Sequence, residues 1–242
     1  AHALFFLYGT GANGKSVFAN VVASILGDYA STAPMDTFVE TRGDRHPTDL
    51  AGLRGARFVT AIETEQGRRW NESKVKAITG GDKISARFMR QDFFEFFPHF
   101  KPVIVGNHKP SIRNIDEAMK RRMHLIPFTV TIPPEKRDGR LTEKLLAERD
   151  GILAWAVAGC LAWQREGLNP PACVQAATDE YFEAEDAIGQ WIEERCLLAN
   201  THREGVSELF SDWREWAERA GEYVGSVKRF SELMATRKCE KC

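Results

Sequence analysis

The stretch Gly9-Thr10-Gly11-Ala12-Asn13-Gly14-Lys15-Ser16 decides how this sequence folds. It follows a short apolar run, residues 4–8, and it opens a segment with helical spacing of apolar residues that reaches Leu26. Between a strand and a helix, a glycine-rich turn can point consecutive backbone N–H groups at an anion. The pattern therefore predicts a phosphate-binding loop at the carboxyl end of a buried strand.

The side chains of this loop indicate which ligand it takes. Lys15 is expected to bridge the β- and γ-phosphates of ATP, and the Ser16 hydroxyl to hold Mg²⁺. ATP and Mg²⁺ are thus the predicted cofactors. The residues expected to contact the nucleotide are Gly9, Thr10, Gly11, Ala12, Asn13, Gly14, Lys15 and Ser16.

Further apolar runs predict an α/β fold. Residues 58–62 and 103–105 indicate two more buried strands, and residues 125–132 a fourth. Because these runs alternate with helical segments, we expect a parallel sheet flanked by helices. Residues 84–89 and 93–97 lie on either side of a polar Arg-Gln-Asp tip, which predicts an inserted β-hairpin.

Beyond Gly139 the pattern becomes helical. The apolar residues there have the spacing of a core-facing helix, and they are Leu141, Leu145, Ile152, Ala156 and Cys160. A small separate unit is expected from about residue 201. We therefore divide the chain into a phosphate-loop core (1–138), a helical part (139–200) and a small tail (201–242).

Composition sets wider limits. Residues 1–150 carry 23 Lys and Arg against 18 Asp and Glu, so this part is mildly basic and compatible with a polyanionic ligand. No run of 18 apolar residues and no signal peptide is visible, which favours a cytoplasmic protein with reduced thiols. Cys239 and Cys242 have the spacing of half a zinc site, but no second half is visible, which favours unpaired thiols. The opening Ala1-His2-Ala3 suggests a piece of a longer chain.

Polar residues after the predicted strands are candidates for catalysis. Glu63 and Glu65 end the second strand, and residues i and i+2 of an extended chain point to the same side. One is expected to coordinate Mg²⁺ and the other to activate water, in an order that the sequence leaves open. Asn107 ends the third strand and could orient the attacking water. Surface or loop positions are the alternative for each of them.

An arginine pair follows the short helical stretch 116–120. A planar guanidinium suits the spread charge of a transferring phosphoryl group, often from a neighbouring subunit. Arg121 or Arg122 is therefore a candidate arginine finger, which would reach the γ-phosphate of ATP. A basic pair on the surface is the alternative.

Residues 4–200 resemble a superfamily 3 helicase of the kind fused to primases in phages, plasmids and large DNA viruses. The resemblance rests on the phosphate loop, the acidic strand end, Asn107 and the arginine pair in this order. A Thr79-Gly80-Gly81-Asp82 stretch leading into the hairpin separates this group from most other P-loop ATPases. Residues 201–242 resemble the winged-helix tail of such proteins only loosely.

The resemblance implies an AAA+-type fold, rings that are usually hexameric, and ATP-driven translocation on single-stranded DNA. It also implies a primase domain upstream in the same polypeptide, encoded by a phage or plasmid. In such a ring the hairpin would line the pore, where Arg87, Arg90 and Lys83 could follow phosphates without reading bases.

Each implication has an alternative. Arg87 could instead pair with Asp82 or Glu95. The hairpin phenylalanines Phe93, Phe94, Phe96 and Phe97 are expected to pack on the sheet rather than to stack on bases. A P-loop protein that uses ATP as an assembly switch, without unwinding DNA, is the main alternative function. A small-molecule kinase is the second, although the Gly-Gly-Asp stretch and hairpin give it no support.

Overall fold

The computed structural model describes residues 2–41, 48–63, 65–113, 115–199 and 202–237. The chain forms two compact units, Ala1–Glu180 and Tyr181–Cys242. Cys239 and Cys242, for which the sequence leaves open unpaired thiols or half of a zinc site, lie outside the described residues.

The first unit carries the sheet. The strands are β1 (Leu4–Tyr8), β2 (Ala30–Thr32), β3 (Phe58–Glu63), β4 (Ile84–Ala86), β5 (Phe94–Phe96), β6 (Lys101–Gly106) and β7 (Met123–Pro127). The helices of the chain are α1 (Lys15–Leu26), α2 (Thr48–Ala51), α3 (Glu72–Gly80), α4 (Glu117–Lys120), α5 (Leu141–Ala147), α6 (Arg149–Glu166), α7 (Ala172–Ala184), α8 (Ala187–Arg195), α9 (Val206–Ala220) and α10 (Val227–Thr236).

Five strands form one parallel sheet in the order β2-β3-β6-β1-β7. The inner strand β1 pairs Phe5 with Val103 of β6 and with His124 of β7. Strands β1 and β6 are largely buried, as expected for a parallel sheet covered on both faces. The predicted α/β class is confirmed, and the carboxyl ends of all five strands meet at one edge.

The predicted strands correspond to β1, β3, β6 and β7, with one correction. The fourth was expected over residues 125–132 but covers Met123–Pro127. After Pro127 the chain leaves the sheet and crosses the phosphate loop, where the Ile132 amide donates to the Ala12 carbonyl at 2.8 Å. The residues after Pro127 therefore contact the phosphate loop instead of extending the strand, and hydrophobic periodicity does not reveal this contact.

Strand β2 and helix α3 are among the elements that were not predicted. The edge strand β2 has only three residues, too few to show a period. Helix α3 is weakly amphipathic and is defined mainly by its ends. The Asn71 side chain accepts from the Lys74 amide at its start, and Gly81 adopts a left-handed conformation (φ 84°) at its end.

Helix α6 contradicts the predicted burial. Residues 149–166 are helical, yet none of them is buried in the described part of the chain. Trp155 is 64% exposed, and Ala156 and Cys160 are exposed as well. An apolar pattern marks a surface that avoids water, and the described residues do not cover this one. No described helix is both long and apolar enough to cross a bilayer.

The second unit begins earlier than the predicted boundary at residue 201. Its core joins Trp191 of α8 to Trp213 of α9 and Phe230 of α10, with ring centres 5.6–6.5 Å apart. Because α8 packs into this cluster, residues from Tyr181 onward belong to the same unit. Its described residues are helical and contain no strand, so the winged helix stays a prediction.

Candidate nucleotide-binding site

The phosphate loop connects β1 to α1 and is fixed against the segment that follows β7. A Cβ on Gly9 would lie 2.2 Å from the Phe128 carbonyl oxygen, so only glycine fits there. The Asn13 Nδ2 atom donates to the same carbonyl at 2.8 Å. Gly14, just before α1, has a left-handed backbone (φ 86°). Close approach and backbone conformation thus explain these two glycines of the motif.

Lys15 lies at the base of the loop and is 5% exposed. Its Nζ donates to the Gly9 carbonyl (2.7 Å), to Asn13 Oδ1 (3.0 Å) and to Asn107 Oδ1 (3.3 Å). Removal from water lowers the pKa of Lys15 below its ordinary value. The three oxygens therefore hold the ammonium group in place beside the loop amides.

Glu63 ends β3 with its side chain buried, 4% exposed. Its Oε1 accepts from the Glu65 backbone amide at 2.7 Å. Its Oε2 is buried and has no hydrogen-bond partner among the described residues. A buried carboxylate oxygen without a partner is costly, and a cation or an ordered water would satisfy it.

Gly106 allows Glu63 to sit where it does. The two residues are register partners on neighbouring strands. A Cβ on Gly106 would lie 2.8 Å from Glu63 Cβ and 2.9 Å from the Phe6 ring. The absence of a side chain at 106 therefore leaves space for the carboxylate at the sheet edge.

Gly106→Ala is expected to lower the free energy of unfolding by about 1–3 kcal/mol, since the new methyl group overlaps two side chains. Denaturant unfolding measures the change. Gly159→Ala on α6 is the matched control, because an added Cβ there meets no described residue within 4 Å. That variant should gain about 0.4–1 kcal/mol from reduced freedom of the unfolded chain. Similar stability of Gly106→Ala and the parent chain would contradict the close approach.

These groups line one open cavity of about 480 Å³ at the carboxyl edge of the sheet. Ligand sites of open parallel sheets lie at this edge. Asn107 lines the cavity beside Gly106, so the structure brings it together with Lys15 and Glu63. The cavity is lined by Gly11, Ala12, Asn13, Gly14, Lys15, Ser16, Val17, Ile62, Glu63, Val105, Gly106, Asn107 and His108.

Glu65 is not among the residues that line this cavity. Its side chain is 63% exposed and forms an ion pair with Arg68, which also pairs with Asp36. The rule that i and i+2 face the same side holds only along an extended strand, and β3 ends at Glu63. Of the two predicted carboxylates, the structure places Glu63 in the cavity.

The arginine pair lies directly before β7, at the amino ends of the strands and opposite the edge that carries the cavity. Arg122 is buried and donates to the Thr79 hydroxyl (3.2 Å) and the Ala118 carbonyl (2.7 Å). Arg121 is exposed and lines a second cavity, of about 390 Å³, with His2 and His124. Because β7 alone is about 13 Å long, this edge is well separated from the chain's own phosphate loop.

The predicted hairpin is confirmed by the antiparallel pair β4 and β5. Lys83 lies 3.4 Å from the Glu95 carboxylate, so Glu95 pairs with Lys83 rather than with Arg87. Arg87 instead places its guanidinium 4.8 Å from the centre of the Phe93 ring. Arg90 is exposed at the tip with a left-handed backbone (φ 60°).

Sequence patterns predicted Asn13 as a nucleotide contact but not its contacts within the protein, and they missed Gly106 and Phe128. Asn13 counts as a variable position of the motif, yet its amide contacts both Lys15 and Phe128. Gly106 precedes the predicted polar residue and looks like a simple strand end. Phe128 was assigned to a strand interior. A glycine directly before Asn107 was the one available signal of close packing.

The fold and the cavity define an α/β domain with a parallel sheet and a polar site at its carboxyl edge. Residues 7–122 match a family described as "Family of unknown function (DUF5906)". The chain is 26% identical to "Putative helicase L207/L206" of Acanthamoeba polyphaga mimivirus, over 95% of this chain and 26% of that protein. It is 27% identical to "Putative helicase 022R" of Frog virus 3, over 93% of this chain and 25% of that protein.

A third relative, "Putative primase C962R" of African swine fever virus, is 22% identical over 88% of this chain and 25% of that protein. Among solved structures, the NrS-1 C-terminal region matches 62% of this chain and 35% of its own, with a TM-score of 0.48 and 12% identity. JCV helicase matches 76% and 52%, with a TM-score of 0.39 and 16% identity.

The chain is thus similar to viral proteins named as helicases and primases, and it spans about a quarter of their length. These three relatives are encoded by viruses. The phage or plasmid origin and the superfamily 3 assignment stay predictions.

Proposed function

We propose that this chain is the ATP-dependent motor of a superfamily 3 DNA helicase. The observation that carries the proposal is the convergence of three groups on one cavity: the Lys15 ammonium, the open carboxylate oxygen of Glu63 and the Asn107 amide. A cation beside loop amides suits phosphates, and a carboxylate opposite it suits a divalent metal.

The residues of the cavity fit ATP with Mg²⁺. Loop amides, Lys15 and the N-terminus of α1 offer positive groups to the phosphates. The Ser16 hydroxyl and Glu63 Oε2, to which no described residue donates, are oxygen ligands of the kind that Mg²⁺ prefers, and this ion usually needs only one or two carboxylates. When bound, the pair supplies the phosphoanhydride bond to be hydrolysed and the neutralisation of phosphate charge.

The chain's own residues then have distinct tasks. Lys15 exchanges contacts with protein oxygens for contacts with phosphate oxygens, with its position already set. Glu63 holds the metal or takes the proton of the attacking water, with Oε1 kept in place by the Glu65 amide. Asn107 orients that water, because its amide both donates and accepts.

The helicase part of the proposal is supported by the names of the viral relatives and by the basic hairpin. Lys83, Arg87 and Arg90 would contact the phosphates of single-stranded DNA inside a ring, usually of six copies. A primase domain would lie upstream in the same polypeptide, in line with the relative named as a primase.

An ATPase assay with and without single-stranded DNA tests the function as a whole. Hydrolysis that single-stranded DNA stimulates, together with unwinding of a forked duplex, is the expected result. Hydrolysis that DNA leaves unchanged, without unwinding, would favour a nucleotide-controlled assembly switch. The absence of any hydrolysis in ring assemblies would overturn the proposal.

Arg121 is expected to act on the nucleotide of a neighbouring copy, because it lies at the sheet edge away from its own loop. Arg121→Ala and Glu63→Gln subunits should each hydrolyse ATP poorly. Mixed in equal amounts, they should regain turnover at roughly a quarter of the sites, where an intact Glu63 meets an intact neighbouring Arg121. Steady-state ATPase of mixed assemblies measures this.

Arg122→Ala serves as the comparison. It removes hydrogen bonds to Thr79 and Ala118, so it should lower the melting temperature. Mixtures that hydrolyse no more than the average of their parts would argue for a role of Arg121 within its own subunit.

Arg90→Asn is expected to weaken binding of single-stranded DNA and to reduce the salt slope by roughly 0.7, the value for one lost phosphate contact. Asparagine is chosen because it tolerates the left-handed backbone at this position. Fluorescence anisotropy at several salt concentrations measures both quantities. Arg140→Asn makes the same charge change on an exposed arginine outside the hairpin, and it should retain the parent slope.

A further inference from the structure

The β4–β5 hairpin is buried on one face only. Its register pairs Ile84 with Phe96 and Ala86 with Phe94. Ile84, Ala86 and Phe96 are buried, and Phe94 is partly buried. Side chains alternate across a strand, so the residues between these positions belong to the opposite, exposed face.

That exposed face carries two aromatic–cation pairs. Phe93 is 59% exposed and Phe97 is 49% exposed. Arg87 lies 4.8 Å from the centre of the Phe93 ring, and the Lys83 Nζ lies 5.8 Å from that of Phe97. The expectation that all four phenylalanines pack on the sheet is therefore wrong for these two. Because both rings are in water, they add little to the stability of the core.

We propose that Phe93 and Phe97 form a stacking surface for unpaired bases of single-stranded DNA. This inference rests on the proposed function and adds to it an apolar mode of contact. Every base has a flat π-face, so a phenyl ring binds it without reading sequence. Each cation lies over one face of its ring, so a base would stack on the other face or displace the cation towards a phosphate of the bound strand.

The spacing and charge of the face favour this occupant. The two rings are four residues apart along an extended chain, about 13 Å, so one strand running along the face would meet both. The acidic Glu95 and Asp92 offset part of the charge of Lys83, Arg87 and Arg90. These carboxylates weaken the attraction between the hairpin and the phosphates of DNA. Base stacking on the two rings would add binding affinity that the net charge of the hairpin does not provide.

The test uses two fluorescently labelled oligonucleotides, an oligothymidine and the same strand with abasic sites. Both have the same phosphates, so only stacking separates them. The 242-residue chain is expected to bind the abasic strand roughly 5- to 150-fold more weakly for each lost stack. The double variant Phe93→Ala/Phe97→Ala should lose affinity for oligothymidine by a similar factor and bind both strands equally. Its salt slope should stay unchanged.

Two further variants keep the result interpretable. Met89→Ala removes a non-aromatic side chain that is 68% exposed near the tip, and it should keep the penalty for abasic DNA. Phe93→Leu/Phe97→Leu keeps apolar area but no flat ring, so it should lose the discrimination even if the alanine variant melts early.

Three results have different meanings. A phenylalanine variant that still discriminates, or that loses affinity equally for both strands, overturns the stacking role. Wild-type chain that binds both strands equally does so too, while leaving the helicase proposal intact. Wild-type chain that binds neither strand at low salt counts against both.

Discussion

Replacing Lys15 with alanine is expected to abolish ATP hydrolysis, lowering kcat/KM by roughly 10³-fold or more. The ammonium group is buried at the base of the phosphate loop, held by three protein oxygens. Its removal leaves the phosphates without their fixed cation and leaves Asn13 Oδ1 without this donor. Binding of a fluorescent ATP analogue should weaken together with turnover.

A second lysine provides the control for this variant. Lys101 is also partly buried, and removal from water lowers its pKa as it does that of Lys15. It lies at the amino end of β6, away from the loop. Lys101→Ala should therefore keep nucleotide binding and hydrolysis near the parent values. Parent-level turnover in Lys15→Ala would remove the basis for the nucleotide site.

Glu63→Gln is expected to lower kcat by about 10²–10⁴-fold while ATP binding persists. A neutral amide neither takes a proton from water nor pairs well with Mg²⁺. The melting temperature without nucleotide should be unchanged or higher, because the substitution removes a buried negative charge and keeps an oxygen that accepts from the Glu65 amide. Lost activity with retained stability distinguishes a catalytic role from a structural one.

Glu65→Gln is the matched control two residues further on. Its side chain is exposed and paired with Arg68, outside the cavity. Turnover of this variant should stay within a few-fold of the parent chain. Equal losses in both variants would mean that Glu65 moves into the site when nucleotide binds.

The sequence predicted those parts of the site that depend on local order. A buried strand, a glycine-rich turn and a helix follow each other without a break, so the position of Lys15 required no knowledge of distant residues. Glu63 and Asn107 could be anticipated because the carboxyl ends of parallel strands meet at one edge. The hairpin was equally visible, since its two apolar runs flank a polar tip.

The remaining features depend on contacts between distant segments. Glu63 and Glu65 differ because β3 stops between them, and strand ends are set by neighbouring strands. Arg121 and Arg122 differ because one of them reaches Thr79, 43 positions away. The apolar pattern of α6 was equally clear, but periodicity shows only that a surface avoids water, not what covers it.

Strand β7 joins two places that the proposed mechanism would use at different moments. Arg121 lies just before its amino end, and at its other end the Phe128 carbonyl is held by Asn13 of the loop. Strand β7 is paired with β1 along all five of its residues, so the two places are connected through the sheet. Within the proposed ring, a displacement of the phosphate loop of one subunit would therefore be passed along β7 to Arg121, which would contact the nucleotide of the next subunit.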